Sequence, residues 1–252
     1  MKKFTKRMAL LLAGLLLTTS LFACDSGSDW EADDDDDDEE SEFSSQYKNL
    51  TPEEVGEALL EAQSFTIVME GVRTIGNASI TATYTITKNG DLIKMHLKQA
   101  TPSENYEKSA YYDLKEQNAY EENNGEWIYA KQENLDLENM LSDLIPVDLL
   151  FDKDCYDVYD PEKKEYVLNP AEVSDEMTDD ETAIGKGEMT SHRGIYTFDL
   201  SAEQGTNQIK YTINIQFTAD NVKLPDAKPA NQGEASPDET PTPMPSPEAD
   251  NH

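Results

Sequence analysis

The side chains able to do chemistry in this 252-residue chain are scattered rather than grouped. Three histidines, His96, His192 and His252, lie far apart, with no HExxH spacing and no cysteine pair beside them. They do not compose a zinc site, so no metal is expected. GxSxG, P-loop and GxGxxG patterns are likewise missing, and neither a cofactor nor an enzymatic activity is expected. Cys155 sits in Asp154-Cys155-Tyr156-Asp157, where the carboxylates should raise the thiol pKa and blunt a nucleophile. With 52 acidic residues against 20 basic ones, any two carboxylates can be neighbours by chance. Tyr84, Tyr106, Tyr111, Tyr112, Tyr120, Trp127 and Tyr129 could line a sugar or lipid site. On strands, such residues are more often ordinary sheet positions with a wet hydroxyl.

The second cysteine has a more specific setting. Lys2, Lys3, Lys6 and Arg7 precede an uncharged run from Met8 to Leu17, and Leu21-Phe22-Ala23-Cys24 follows. A basic segment, an apolar segment and small residues before a cut make an export signal. The apolar run falls short of the about 20 residues a spanning helix needs. Leu21, Ala23 and Cys24 resemble the lipobox of bacterial lipoproteins. That resemblance implies diacylation of the Cys24 thiol, cleavage before it, and a lipid bilayer as the first partner. The protein is then expected to be exported and anchored to the outer face of the bacterial cell membrane.

Removing residues 1–23 takes away four basic residues and no acidic one, so the formal charge moves from −32 to −36. Such a surface disfavours nucleic acid as a partner. Mature protein keeps Cys155 with no second free cysteine, so the fold must rest on an apolar core rather than a disulfide. Residues 24–48 are mostly Ser, Gly, Asp and Glu, with six consecutive aspartates from Asp33 to Asp38. This run repels itself and should be a disordered tether, spanning roughly 30 Å if flexible. Residues 226–252 form a Pro-rich tail, also expected to be disordered.

Residues 49–225 carry the periodic patterns of one globular domain. Thr51-Pro52-Glu53-Glu54 is a capping box with Pro at the first helical position, and Val55, Ala58, Leu59 and Ala62 make one stripe. Beyond Ser64 the period becomes two. Phe65, Ile67 and Met69, then Ile80, Ala82, Tyr84 and Ile86, alternate with polar residues. Asn89-Gly90 predicts a hairpin turn into Ile93, Met95 and Leu97, and Asn123-Asn124-Gly125 another into Trp127. Leu135 to Ile145 predicts a helix stopped by Pro146, and 175–181 a mobile loop. Tyr211, Ile213, Ile215 and Phe217 alternate in a last strand.

This order of elements, with the Gly125-Glu126-Trp127 hairpin and the stretch from Phe217 to Pro225, resembles the half-barrel lipoproteins of the LolA, LolB and LppX type. The resemblance implies an α+β fold: a curved antiparallel sheet, or half-barrel, packed on two or more helices around an apolar cavity. The acidic insertion from Asp152 to Asp180 departs from that pattern. Leu137, Leu141 and Leu144 on the helix, with Tyr211, Ile213 and Ile215 on the strand, are the expected walls for a lipid or other apolar ligand. The alternative is an envelope interaction protein with a filled core and an acidic surface. Two acyl chains hold a protein stably at a bilayer, at ~0.8 kcal/mol per buried CH₂. Cys24→Ser is therefore expected to abolish lipidation, and mass spectrometry showing diacylglycerol on the mutant would overturn the lipobox reading.

Overall fold

The structure, a computed structural model, describes residues 45–230 except 77, 103, 124, 178–183 and 205–206. The Cys24 site, the aspartate run and most of the Pro-rich tail lie outside the described residues, as does the 178–181 part of the expected loop.

Helix α1 (Pro52–Glu61) begins as its sequence dictates: the Glu54 amide donates to Thr51 Oγ1 at 3.3 Å, and the Thr51 amide to Glu54 Oε2 at 2.8 Å. Where the apolar period changes to two, the chain enters β1 (Ser64–Ile75), β2 (Ala78–Asn89), β3 (Leu92–Ala100), β4 (Asn105–Asp113), β5 (Asn118–Asn123) and β6 (Glu126–Lys131). Two short helices follow, α2 (Leu137–Ser142) and α3 (Val147–Phe151). Next come β7 (Tyr156–Asp160), β8 (Glu165–Leu168), α4 (Pro170–Met177), β9 (Ile184–His192), β10 (Ile195–Gln204), β11 (Asn207–Gln216) and β12 (Lys228–Pro229).

Among the described residues, all twelve strands belong to one sheet, in the order β12-β6-β5-β4-β3-β2-β1-β11-β10-β9-β8-β7. Every neighbouring pair is antiparallel except β12 with β6. The chain is thus α+β with an essentially antiparallel sheet, as expected. Its long central pair, β1 and β11, brings residues about 140 positions apart into register, Ile67 with Ile215 and Met69 with Ile213.

The structure differs from the sequence reading in several places. Residues 175–177 of the expected loop are the last turn of α4, and Lys228–Pro229 of the expected disordered tail pair with β6 as β12. The expected helix from Leu135 to Ile145 is shorter than its apolar run, Leu137–Ser142, and ends before Pro146 as expected. Beyond the proline the apolar run continues as a separate helix, α3, since the residue before a proline avoids helical geometry. The β2–β3 turn falls one residue later than Asn89-Gly90: Asn89 still pairs with Leu92, and Gly90 alone takes the left-handed conformation, at φ +60°. Gly at the first loop position is the usual requirement of one of the two common tight hairpins.

The core lies on one face of the sheet. Phe65, Ile67, Ile86, Ile93, Phe198, Ile213 and Ile215 point there from the strands and meet Val55, Leu59, Leu141, Ile145, Leu149 and Leu150 of the helical layer. Gly56 lets α1 approach α3, since a Cβ there would stand 2.7 Å from Phe151 Cγ. Phe151 in turn meets Phe198 edge-on, with centroids 5.7 Å apart. Lys88 is the charged exception among these closed rows. Buried, it donates its ammonium to the Ala62 carbonyl at 2.6 Å, just past the last turn of α1. A cation there complements the helix dipole, although burial lowers its pKa against the pull of Asp91.

The start of the described chain is tied to this core. Tyr47 stacks on Phe217 with centroids 4.3 Å apart. Tyr196, fully buried, donates its hydroxyl to the Tyr47 carbonyl at 2.8 Å and accepts from the Leu50 amide at 2.9 Å. Tyr196→Phe leaves both backbone groups without that partner, at a cost of about 1–3 kcal/mol. Calorimetry should record a lower melting temperature, and protease cutting after Tyr47 or Lys48 should accelerate. An unchanged melt with unchanged cutting would contradict the role given to this hydroxyl.

Candidate functional site

Of the six expected wall residues, four are buried: Leu141, Tyr211, Ile213 and Ile215. Leu137 and Leu144 are partly buried against the same cluster. The structure therefore brings all six into one packed core, Ile213 and Ile215 at zero exposure.

The open apolar surface lies elsewhere on the same face. Registers place Tyr211, Gly71, Ala82, Gln99 and Tyr106 in one row across β11, β1, β2, β3 and β4. The row on the helix side holds Ile213, Met69, Tyr84, Leu97 and Lys108. From Met69 and Gly71 through Ala82 and Tyr84 to Leu97 these positions are half-buried, and Tyr106 is 46% exposed. The rows under the helices, built on Ile67 and Phe65, are closed. The inner face is thus sealed at one end and half-open at the other.

The seven aromatics singled out in the sequence are divided by this register. Tyr84, Tyr106 and Tyr112 stand on the inner face, and the hydroxyls of Tyr84 and Tyr112 are pushed up in pKa, chiefly by burial. Tyr111, Tyr120, Trp127 and Tyr129 stand on the outer face. Tyr111 meets Trp127 edge-on at 5.2 Å, and Tyr120 meets its cross-strand partner Tyr129 at 5.5 Å. Alternation alone could have made this division, had each strand been assigned its inner face.

Arg73 is the residue that sequence reading missed. It lies on the inner face beyond Gly71, with Ile209 and Ile80 opposite it on the flanking strands. Its Nε is buried without a hydrogen-bond partner among the described residues, and so is the Tyr211 hydroxyl. Burial drives that hydroxyl to a pKa of about 12, while the Arg73 charge draws it down. The only prior signal was a basic residue at an apolar-parity position of β1.

No family model and no curated protein matches the chain.

Two further constellations are set by the fold. On the outer face, His96 Nδ1 is 2.9 Å from Ser109 Oγ, and His96 Nε2 is 3.3 Å from Glu107 Oε1. The order is that of a nucleophilic serine, its base and an orienting carboxylate. Glu107, however, is 65% exposed, and charge facing water does little to polarise an imidazole. As arranged, the three residues clasp β3 to β4. Between α1 and α3, a groove of about 510 Å³ has Leu59, Leu60, Leu141, Val147 and Phe151 in its lining, with Glu53, Glu57, Glu138, Asp148 and Asp152.

Cys155 follows α3, and its thiol points to the Asp148 carbonyl at 3.5 Å. Burial first, then Asp152, Glu172, Glu176 and Asp148, raise its pKa to about 11. Glu176 itself is held above the usual carboxylate range by burial and by Asp148. The thiolate fraction at pH 8 is therefore small, and the sign of the effect is to slow alkylation. With Cys24→Ser in the background, iodoacetamide should modify folded protein about a hundredfold more slowly than the urea-unfolded chain. Equal rates in the two states would refute this account of the thiol.

Proposed function

We propose that the protein is an envelope lipoprotein, anchored through acylated Cys24, whose inner sheet face binds a lipid or other apolar ligand. One observation carries the reading: the inner face of β1–β4 stays apolar past the end of the helical layer yet is half-exposed there. Soluble proteins seldom leave such a patch without a partner for it. A half-barrel would give that patch walls. Strongly twisted open sheets rarely pass about ten strands without curling, splitting or flattening, and of these only curling would raise such walls. In this reading the ligand lies against Met69, Ala82, Tyr84 and Leu97, while Leu141, Ile213 and Ile215 serve as packed floor.

A second reading is favoured by the groove between α1 and α3. Its apolar residues and five carboxylates, with no basic residue in the lining, suit a cationic amphipathic segment of an envelope partner.

The two readings part in a binding assay with a fluorescent fatty acid on the delipidated protein. Leu97→Asp puts a carboxylate beside Lys108 on the half-open rows, where the fold tolerates it. It should weaken probe binding at least tenfold with little change in melting temperature. Leu141→Asp should instead unfold the domain, because a charge in a packed core costs several kcal/mol. Wild-type protein that takes up no acyl probe at micromolar concentration would end the lipid reading.

A further inference from the structure

We infer that Arg73 seats the anionic head of an acyl-chain ligand, a carboxylate or a phosphate, with the chain laid along the half-open rows of β1–β4. This rests on the lipid reading of that face and narrows it to acidic lipids.

The first argument is the placement of the charge. Arg73 shares its row with Ala202, Ile209 and Ile80, and neither that row nor the next two toward the helices contains a carboxylate. In a chain with 52 acidic residues, a cation surrounded by apolar neighbours is out of keeping with the surface at large. The other inner-face lysines are engaged: Lys88 caps α1, and Lys108 lies 3.7 Å from Glu121. Arg73 makes no hydrogen bond or ion pair among the described residues. Buried polar groups are nearly always hydrogen-bonded, so its bare Nε and the bare Tyr211 hydroxyl beside it mark two donors without an acceptor.

The second argument is shape. Tyr211 leans over Gly71, where a Cβ would come within 2.8 Å of its Cε1. Gly71 and Ala82, the two smallest inner-face residues of β1 and β2, sit between Arg73 and the pair Tyr84 and Leu97. The Tyr211 ring takes up the space over Gly71, so the chain would run from the guanidinium past Ala82 toward Tyr84 and Leu97. A guanidinium offers parallel N–H groups in the spacing of carboxylate or phosphate oxygens, which a lysine does not. The shared chemistry is a single anionic head on an acyl chain, drawn from a free fatty acid or an acidic phospholipid.

The test uses the full chain, delipidated, with 11-(dansylamino)undecanoic acid and its methyl ester as probes. The acid should bind on the order of tenfold to a hundredfold more tightly than the ester. Arg73→Gln should bring the acid down to the ester and leave ester affinity and melting temperature unchanged, whereas Arg73→Lys should keep part of the preference. Displacement by lauric acid but not dodecyl phosphate assigns the head to a fatty acid, and the reverse assigns it to a phospholipid. Acid and ester binding alike would overturn the role of Arg73 while leaving the apolar face as a lipid site. Neither probe binding would overturn both.

Discussion

A sheet of twelve strands has far more inner face than four short helices can cover, and the rest of the structure answers to that mismatch. Helices α1, α2 and α3 lie over the rows built on Phe65 and Ile67, and α4 packs over β9, where Gly185 admits it to within 2.4 Å of the Pro170 carbonyl, measured from a Cβ placed there. Where helix ends, burial falls from complete at Ile67 to partial at Met69 and Gly71 along a single strand. Hydrophobic burial scales with area removed from water. The half-open rows thus contribute less to stability than their apolar composition would allow, and that unspent potential is what a ligand would take up.

Much of this was legible beforehand, and the reasons are local. Thr51-Pro52-Glu53-Glu54 announced α1 because capping is a matter of four adjacent residues. The alternation of Tyr211, Ile213 and Ile215 announced β11 because the pleat has period two. Asn169-Pro170, with Ala171 donating to Asn169 Oδ1 at 2.8 Å, announced α4 by the same rule, yet the acidity of the segment masked it. The pairing of β1 with β11 is another matter. Nothing near Ile67 specifies Ile215, since such register is fixed only when both faces find partners in space. The expected ligand walls lie within the packed cluster instead of lining an open cavity, and Arg73 stayed invisible until the rows could be read across strands.

The few cations also show how a strongly acidic chain spends its positive charge. Lys163 holds Asp160 at 2.7 Å, Lys228 holds Glu126 at 3.0 Å, and both pairs are on the surface, where such contacts add little. Lys88 is different, being withdrawn from water to close a helix end. The inner-face positions of β10, β11, β1 and β2 carry no carboxylate, and an acyl chain with a single charge would meet a different environment there from the one it leaves.

The Tyr196 clamp has a mechanical consequence. Any pull on the chain ahead of Ser45 reaches the fold through Tyr47, stacked on Phe217 just past the end of β11. Strand β11 lies between β1 and β10 in the middle of the sheet, with β12 and β7 at the margins. Load therefore enters at the centre, where long ladders on both sides resist together in shear, instead of at an edge strand that could be peeled bond by bond. A domain loaded through this end would not have its outer strands as the first to yield.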